Sequence, residues 1–298
     1  MYDLAIVGGG IAGLTAAIYS VRYMLKTIVV SKEIGGVIVK SPRVENWPGF
    51  KSISGVELMD KVKEQVVSLG AEIISDDVEG IKKENDVFKI KTAEKEIEAK
   101  SILLAFGTEK RKLNVPGEKE FEGKGVSYCA ICDSAFFKDL DAAVVGGGNS
   151  AFKTAQLLLE YVKKLYIINI EKEPIAETAL VEEIKRDKRV TIMNSTSVKK
   201  VKGDKFVNEI VLSNGESIKV GGVFVDIGFI PCTELPNQLG VKTDKLGYII
   251  VDGAMRTNIK GVYAAGDITN ASNNIRQLVT KAGEGCIAST SVYNDLKK

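Results

Sequence analysis

The chain of 298 residues carries 41 basic and 39 acidic side chains and no histidine, for a formal net charge of +2. Its length favours two domains over a single core, and 45% hydrophobic with 27% charged residues is the composition of an ordinary soluble globular protein. The charge balance gives no electrostatic reason to expect nucleic acid or an anionic membrane as a partner, and no apolar run approaches the ~20 residues that span a bilayer.

Met1 runs almost directly into 4-LAIV-7, with no basic n-region, apolar h-region or cleavage site before it. A cytoplasmic protein is expected, in a compartment where thiols stay reduced and paired cysteines serve catalysis or metal binding more often than structure. The chain continues as 4-LAIVGGGIAGLTAAIYSVRYMLKTIVVSKE-33. An apolar strand, a glycine turn, a helix-forming stretch and a second apolar strand at Ile28 to Val30 make a βαβ pattern. Gly8, Gly10 and Gly13 occupy the G-x-G-x-x-G positions. The first permits a tight turn, the second lets a pyrophosphate approach the backbone, and the third lets helix and strand pack closely. The helix N-terminus then offers free N–H groups and a positive dipole end to that pyrophosphate.

Residues 71–108 alternate apolar and polar around turn-forming Glu79-Gly80 and Asn85-Asp86, which predicts short antiparallel strands. Proline-bearing 112-KLNVPGEKEF-121 and 229-FIPCTELPNQLG-240 read as two crossings between domains. After the first crossing comes 127-SYCAICDSAFF-137, in which Cys129 and Cys132 are followed at once by Asp133. Holding a metal, tying down a loop and exchanging electrons are the roles open to such a pair.

The βαβ unit then recurs at 142-AAVVGGGNSAFKTAQLLLEYVKKLYIINIEKE-173. A shift of 138 positions places Gly8 on Gly146, Gly10 on Gly148, Gly13 on Ala151 and Glu33 on Glu171 without a gap. The nucleotide-binding unit is duplicated, with a period far longer than a solenoid's. Two such sites in one chain point to a flavin and a nicotinamide, or to a relay between two redox partners. Residues 189–229 form a second meander with a hairpin turn at Asn214-Gly215, and the first fold resumes at 248-YIIVDGAMRTNIKGVYAAGDI-268. The fold class expected is α/β, with two Rossmann-like dinucleotide-binding domains, the second inserted into the first, each with a small antiparallel β meander. The boundaries expected are 1–111 with 241–298, and 112–240.

In order and over essentially the whole chain, 45-ENWPG-49, 127-SYCAICD-133, 146-GGGNSA-151, 263-YAAGD-267 and 276-RQLVTKAGEG-285 resemble the low-molecular-weight thioredoxin reductases. These are FAD enzymes with two dinucleotide-binding domains. The resemblance implies FAD on Gly8, Gly10 and Gly13, with Ser31, Glu33, Gly35 and Gly36 along the adenosine end. Asn46 would lie near the isoalloxazine, Gly266 and Asp267 on the ribityl and phosphate side, and Arg276, Gln277 and Leu278 near the flavin. A nicotinamide nucleotide would meet Gly146, Gly148, Asn149, Ser150, Ala151 and Glu171.

Within that likeness the C-x-x-C-D is the redox centre. Structural zinc needs four ligands, usually cysteine and histidine; beyond the pair only the isolated Cys232 and Cys286 remain, so no metal is expected. A structural disulfide closing so short a loop gains little. Cys232 and Cys286 read as small buried apolar residues. By resemblance, reduced FAD passes two electrons to a Cys129–Cys132 disulfide with Cys132 facing the flavin. Cys129 then attacks the disulfide of a thioredoxin- or glutaredoxin-like protein, and the inserted domain swings to serve both steps. A homodimer is also implied. In a chain without imidazole the proton falls by resemblance to Asp133, as general acid; the alternative role is a cap on a following helix.

The second site departs from the family. Where NADPH-using relatives carry H-R-R and a later arginine, this chain has Asn169-Ile170-Glu171 and Ile175, with Lys172 nearby. Lys153 and Thr154 replace two acids after the glycine turn. NADPH is therefore expected to be a poor donor, and Glu171 could instead bind the 2′-hydroxyl of NADH. Two other functions are weighed: an NADH oxidase or peroxidase-linked flavoprotein reductase, and a flavin-bound redox sensor without turnover.

Overall fold

The apolar run after Met1 becomes β1 (Tyr2–Gly9), buried from Leu4 onward, in a computed structural model that describes residues 1–40, 44 and 46–297 and omits the side chains of Lys40, Cys132 and Asn274. Then follow α1 (Ile11–Arg22), β2 (Thr27–Ile34), α2 (Gly55–Ser68), β3 (Glu72–Ile74), β4 (Val78–Glu84), β5 (Val87–Thr92), β6 (Glu96–Leu104) and β7 (Thr108–Lys110). The middle of the chain forms β8 (Val126–Ser127), α3 (Ala130–Asp133), β9 (Asp141–Val145), α4 (Asn149–Leu158), β10 (Lys164–Ile168), α5 (Thr178–Lys185) and β11 (Val190–Met193). It continues with β12 (Val198–Gly203), β13 (Val207–Leu212), β14 (Ser217–Lys219), β15 (Gly222–Val225) and β16 (Phe229–Pro231). The chain closes with α6 (Glu234–Gln238), β17 (Val262–Ala264) and α7 (Leu278–Leu296). Contacts divide it into Met1–Glu109 with Ile230–Lys298, and Lys110–Phe229.

The first unit holds a seven-stranded sheet in the order β3-β2-β1-β6-β5-β4, with β17 also on β6. Strands β3, β2, β1, β6 and β17 run parallel. The C-terminal half of β6 pairs β17 and its N-terminal half pairs β5 antiparallel. Parallel strands covered on both faces need apolar residues at successive positions, which is what Leu4–Val7, Ile28–Val30 and Ile102–Leu104 provide. One face packs Leu4, Ile6, Val29 and Leu103 against α1 and α7. The other packs Ala5, Val7, Ile28 and Leu104 against the β4–β5 hairpin and the return segment around Ile249.

Helices α1 and α7 approach at backbone distance. A Cβ on Gly285 would stand 2.1 Å from the carbonyl oxygen of Ala12. Farther along, the Ser20 and Ser289 hydroxyls share a buried 2.8 Å hydrogen bond, and the Tyr23 and Tyr293 rings stack at 4.6 Å.

The second unit repeats the plan with a parallel sheet, β11-β10-β9-β15-β8, and a separate antiparallel meander, β12-β13-β14. β7, just before the proline-bearing 112–121 stretch, and β16, at the start of the 229–240 stretch, pair as a two-stranded sheet. The α/β class and the duplicated parallel sheets agree with the reading of the sequence.

Two local readings are corrected. Residues 72–74 pair parallel with β2 instead of joining the antiparallel hairpin, because alternation specifies a face and not a partner. Gly80 is no turn: it lies inside β4 at a register shift between Val78 and Gly80, the mark of a β-bulge. The turn falls at Asn85-Asp86, where Asn85 takes φ 56°. Among the described residues, no helix is long and apolar enough to cross a membrane.

Candidate functional site

The first glycine turn presents an uncapped helix. Gly10 is the N-cap of α1, with no side-chain cap and no acid in the first turn, whereas Ser54 caps α2. The first N–H groups of α1 are thus left for a ligand, and the helix end favours an anion. A Cβ on Gly10 would meet nothing within 4 Å, while one on Gly13 would stand 2.0 Å from the Gly8 carbonyl oxygen. Open space above one glycine and close packing beneath the other are what pyrophosphate binding requires. Gly35 donates its N–H to the Gly9 carbonyl at 2.8 Å, and a Cβ on Gly36 would lie 3.4 Å from Gly10 Cα. The turn after β2 therefore closes against the glycine turn. Ser31 Oγ donates to the Glu33 carbonyl at 2.7 Å, leaving the Glu33 side chain exposed.

The C-terminal segment meets the same strand ends. A Cβ on Gly266 would be 3.2 Å from Ala12 Cβ, which sets the Gly266-Asp267 turn beside the start of α1. Asp267 Oδ1 is buried without a hydrogen-bond partner among the described residues. Burial pushes the Asp267 carboxyl up, and the cations of Lys281 and Arg276 offset this in part. An orphaned buried acceptor is costly and rare in a native fold. Beside an uncapped helix and an open glycine, it fits a ligand that brings hydroxyls and phosphates, as FAD does. Asn46 Nδ2 donates to Gln277 Oε1 at 2.9 Å, joining residues the sequence reading placed near one ring system. Gln277 caps α7, whose first residue is Leu278, through a capping box with Thr280, and the Arg276 guanidinium lies 4.4 Å from the centre of the Tyr248 ring. Glu45 of the E-N-W-P-G segment lies outside the described residues.

The second glycine turn is built alike. Gly148 is the N-cap of α4 with no side-chain cap, and a Cβ there would meet nothing within 4 Å. Gly146 takes φ +147°, where a Cβ would stand 2.2 Å from the Asp226 carbonyl oxygen. Asn149 is engaged by the chain itself: Glu177 N–H donates to Oδ1 at 2.7 Å and Nδ2 donates to Glu177 Oε1 at 3.2 Å. Ile175 N–H donates to the Gly147 carbonyl at 2.9 Å. Asn169 is fully buried, with Nδ2 donating to Asn194 Oδ1 at 2.9 Å and Oδ1 accepting the Glu171 N–H at 3.2 Å. Ser150 and Glu171 are exposed and Ala151 is buried. Ile170 and Ile175 are 72% and 76% exposed. Thr154 Oγ1 donates to Asp226 Oδ2 at 2.8 Å.

In the C-x-x-C-D turn, Cys129 is disulfide-bonded, whereas Cys232 and Cys286 are free thiols. The side chain of Cys132 lies outside the described residues. Cys232 and Cys286 are only partly buried, short of the full burial expected, and burial and Glu109 push the Cys232 thiol up. Ser127 Oγ donates to Asp133 Oδ2 at 2.5 Å and accepts the Cys129 N–H at 3.0 Å. One hydroxyl thus ties the acid to the cysteine. Asp133 also leads into the 3₁₀ turn Ser134–Phe137, but its side chain makes no cap there, so the capping role is not the one it fills. Tyr128 OH donates to Glu118 Oε1 at 2.6 Å, and the Glu118 carboxylate also accepts the Leu113 and Asn114 N–H groups at 2.6 Å each. The Lys110 ammonium donates to the Tyr128 carbonyl.

Ser127, Glu118, Lys281 and Glu284 were not singled out from the sequence. The available signal was a charged Lys-x-x-Glu within the small and apolar residues of 278-LVTKAGEGCIAS-289, and an acid just after the proline-glycine of the first crossing.

The family model described as pyridine nucleotide-disulphide oxidoreductase matches residues 2–285. The thioredoxin reductase of Listeria innocua is 38% identical over 295 residues, spanning 97% of this chain and 92% of that one. Among solved structures, the Lactococcus lactis thioredoxin reductase in its FR conformation has a TM-score of 0.87 at 35% identity, covering 100% of this chain and 99% of that one. The T. acidophilum thioredoxin reductase has a TM-score of 0.84 at 38% identity, with coverage of 100% and 99%. A ferredoxin-flavin thioredoxin reductase from Clostridium acetobutylicum has a TM-score of 0.54 at 32% identity, with coverage of 99% and 98%.

Tyr128, the anchor of the C-x-x-C-D turn, sets a pH dependence. Burial, then the hydrogen bond to Glu118, pushes the Tyr128 hydroxyl well above its ordinary value. Below pH ~10 both folded and unfolded forms keep the proton; above it only the unfolded chain releases one. Stability should therefore fall as pH rises past about 10. Tyr128→Phe should flatten part of that slope in urea midpoints measured from pH 9 to 11, and an unchanged slope would show that Tyr128 ionises freely in the fold.

Proposed function

The chain belongs to the pyridine nucleotide-disulphide oxidoreductase family, and from that membership we propose that it reduces the disulfide of a thioredoxin- or glutaredoxin-like protein through Cys129 and Cys132, with NADPH a poor electron donor. It is an oxidoreductase of the thioredoxin reductase type, and membership implies bound FAD. The observation that carries the reading is the disulfide-bonded Cys129 in a C-x-x-C-D turn whose acid is tied back to it by Ser127.

Gly10, the first turn of α1, Asp267 and the Asn46–Gln277 pair would hold the cofactor, which when bound supplies a two-electron carrier to the pair. The chain's own residues do the exchange chemistry. With the pair reduced, the Cys129 thiolate attacks the partner's disulfide, forming a mixed disulfide and releasing one partner thiolate. Cys132 then attacks the Cys129 sulfur, which frees the second partner thiolate and closes the Cys129–Cys132 disulfide. The partner gains two electrons, which the pair loses. Asp133 in its acid form gives a proton to a leaving thiolate, and the Ser127 hydroxyl fixes where that carboxyl stands.

In a thioredoxin-reduction assay on photoreduced protein, Cys129→Ser should abolish turnover while its flavin still bleaches with dithionite. In the same assay Asp133→Asn should slow turnover by ~10²-fold, a common size for loss of a general acid. A rate near wild type for Asp133→Asn would take the proton away from this residue.

The donor side rests on Ile170 and Ile175, exposed where NADPH-using relatives carry arginine. Each charge-assisted contact to a 2′-phosphate is worth ~1.5–3 kcal/mol. Losing two implies a weakening of at least about 10²-fold, with Lys172 recovering some and Glu171 adding repulsion. Anaerobic mixing should show slow flavin bleaching by micromolar NADPH. Bleaching by NADH alone would support a switched site, with Glu171 the candidate for its ribose hydroxyl. Bleaching by neither points to a protein donor, in keeping with the ferredoxin-flavin enzyme that this chain resembles. Fast bleaching by NADPH would overturn the donor assignment.

A further inference from the structure

Lys281 and Glu284 form an ion pair of 2.7 Å inside α7, with side chains only 5% and 2% exposed. An ion pair taken out of water is costly, and a lysine with a choice extends its ammonium to solvent. The neighbours show what the pair holds. Glu284 Oε2 accepts the Gly266 N–H at 2.7 Å and lies 3.4 Å from the Thr269 hydroxyl. Thr269 in turn donates its N–H and hydroxyl to the Gly266 carbonyl at 3.1 and 3.0 Å. The turn that follows β17 is thereby fastened at both the amide and the carbonyl of Gly266, and the next residue is Asp267, with its unpartnered buried oxygen.

We propose that Lys281 is a positioning residue for the flavin nucleotide: its buried ammonium locks Glu284 onto the Gly266 amide and so holds Asp267 where the nucleotide meets it. This rests on the FAD reading above. Without Lys281, Glu284 and Asp267 are two neighbouring carboxylates, one buried and the other partly so, and Arg276 is the cation that still offsets Asp267. Like charges so placed repel, and nothing then holds the Glu284 carboxylate in place. Once displaced, Glu284 no longer holds the Gly266 amide, and the turn is no longer fixed.

The test is an FAD titration of full-length apoprotein, followed by flavin fluorescence, with thermal midpoints taken with and without FAD. Lys281→Met should weaken FAD by about 10-fold to 100-fold, the size of one lost charge-assisted contact. Lys281→Arg should restore most of the affinity, and the rise in midpoint on adding FAD should shrink in Lys281→Met alone. Equal loss of midpoint with and without FAD, at wild-type affinity, would reduce the pair to a structural one and overturn the inference. Should Lys281→Met fail to fold, Lys281→Met with Glu284→Gln removes both charges: weakened FAD binding supports the proposal and wild-type binding overturns it. Wild-type protein without affinity for FAD would overturn the reading of the preceding subsection and this inference with it. Full affinity in Lys281→Met overturns this inference alone.

Discussion

Two contacts that only a residue without a side chain permits fix the first unit. A Cβ on Gly13 would stand 2.0 Å from the Gly8 carbonyl oxygen, and one on Gly285 would stand 2.1 Å from that of Ala12. The first seats α1 on the end of β1. The second seats α7 on α1, so two helices more than two hundred residues apart in sequence share one position at the strand ends. Everything α7 carries depends on that seating: Gln277 reaches Asn46, and Glu284 reaches the Gly266 amide. Because cores pack at near-crystalline density, a side chain at either glycine could not be absorbed locally. It would displace the helix and the polar contacts with it.

The duplicated glycine unit was legible because its chemistry is local. Strand, turn and helix lie within thirty residues, and each glycine has a steric reason that can be read from spacing. The motifs that converge from afar, Asn46 with Gln277 and Gly266-Asp267 with the first glycine turn, were placed on one cofactor by family likeness, not by pattern. Strand β3 was misread because alternation specifies the face a residue takes and not the strand it pairs with. Gly80 was misread because a glycine in a polar stretch looks the same whether it makes a turn or a bulge. Lys281, Glu284 and Glu118 escaped notice for one common reason: a charged residue reads as a solvated one until its partner is known, and composition does not reveal that Lys281 and Glu284 pair with each other or that the two acids hold backbone amides and a tyrosine.

A chain with no histidine must handle protons with other groups. In the C-x-x-C-D turn the arrangement is compact: Ser127 stands two residues before Cys129 and contacts both its amide and the carboxylate of Asp133. The turn is braced from behind by Tyr128, whose hydroxyl and carbonyl are held by Glu118 and Lys110. Glu118 spends both oxygens on the crossing segment and on Tyr128, so the position of the cysteine is coupled to the fold of the residues that lead into it.

The pairing of β7 with β16 has a topological consequence. The chain leaves the first unit and re-enters it at neighbouring points, so everything in Lys110–Phe229 is, for the host sheet, a loop whose ends already meet. Closing a loop costs entropy that grows only slowly with its length, and a folded insert that brings its own ends together removes most of even that. For the host sheet, the length of what the ribbon carries therefore adds little to the entropy of closing it.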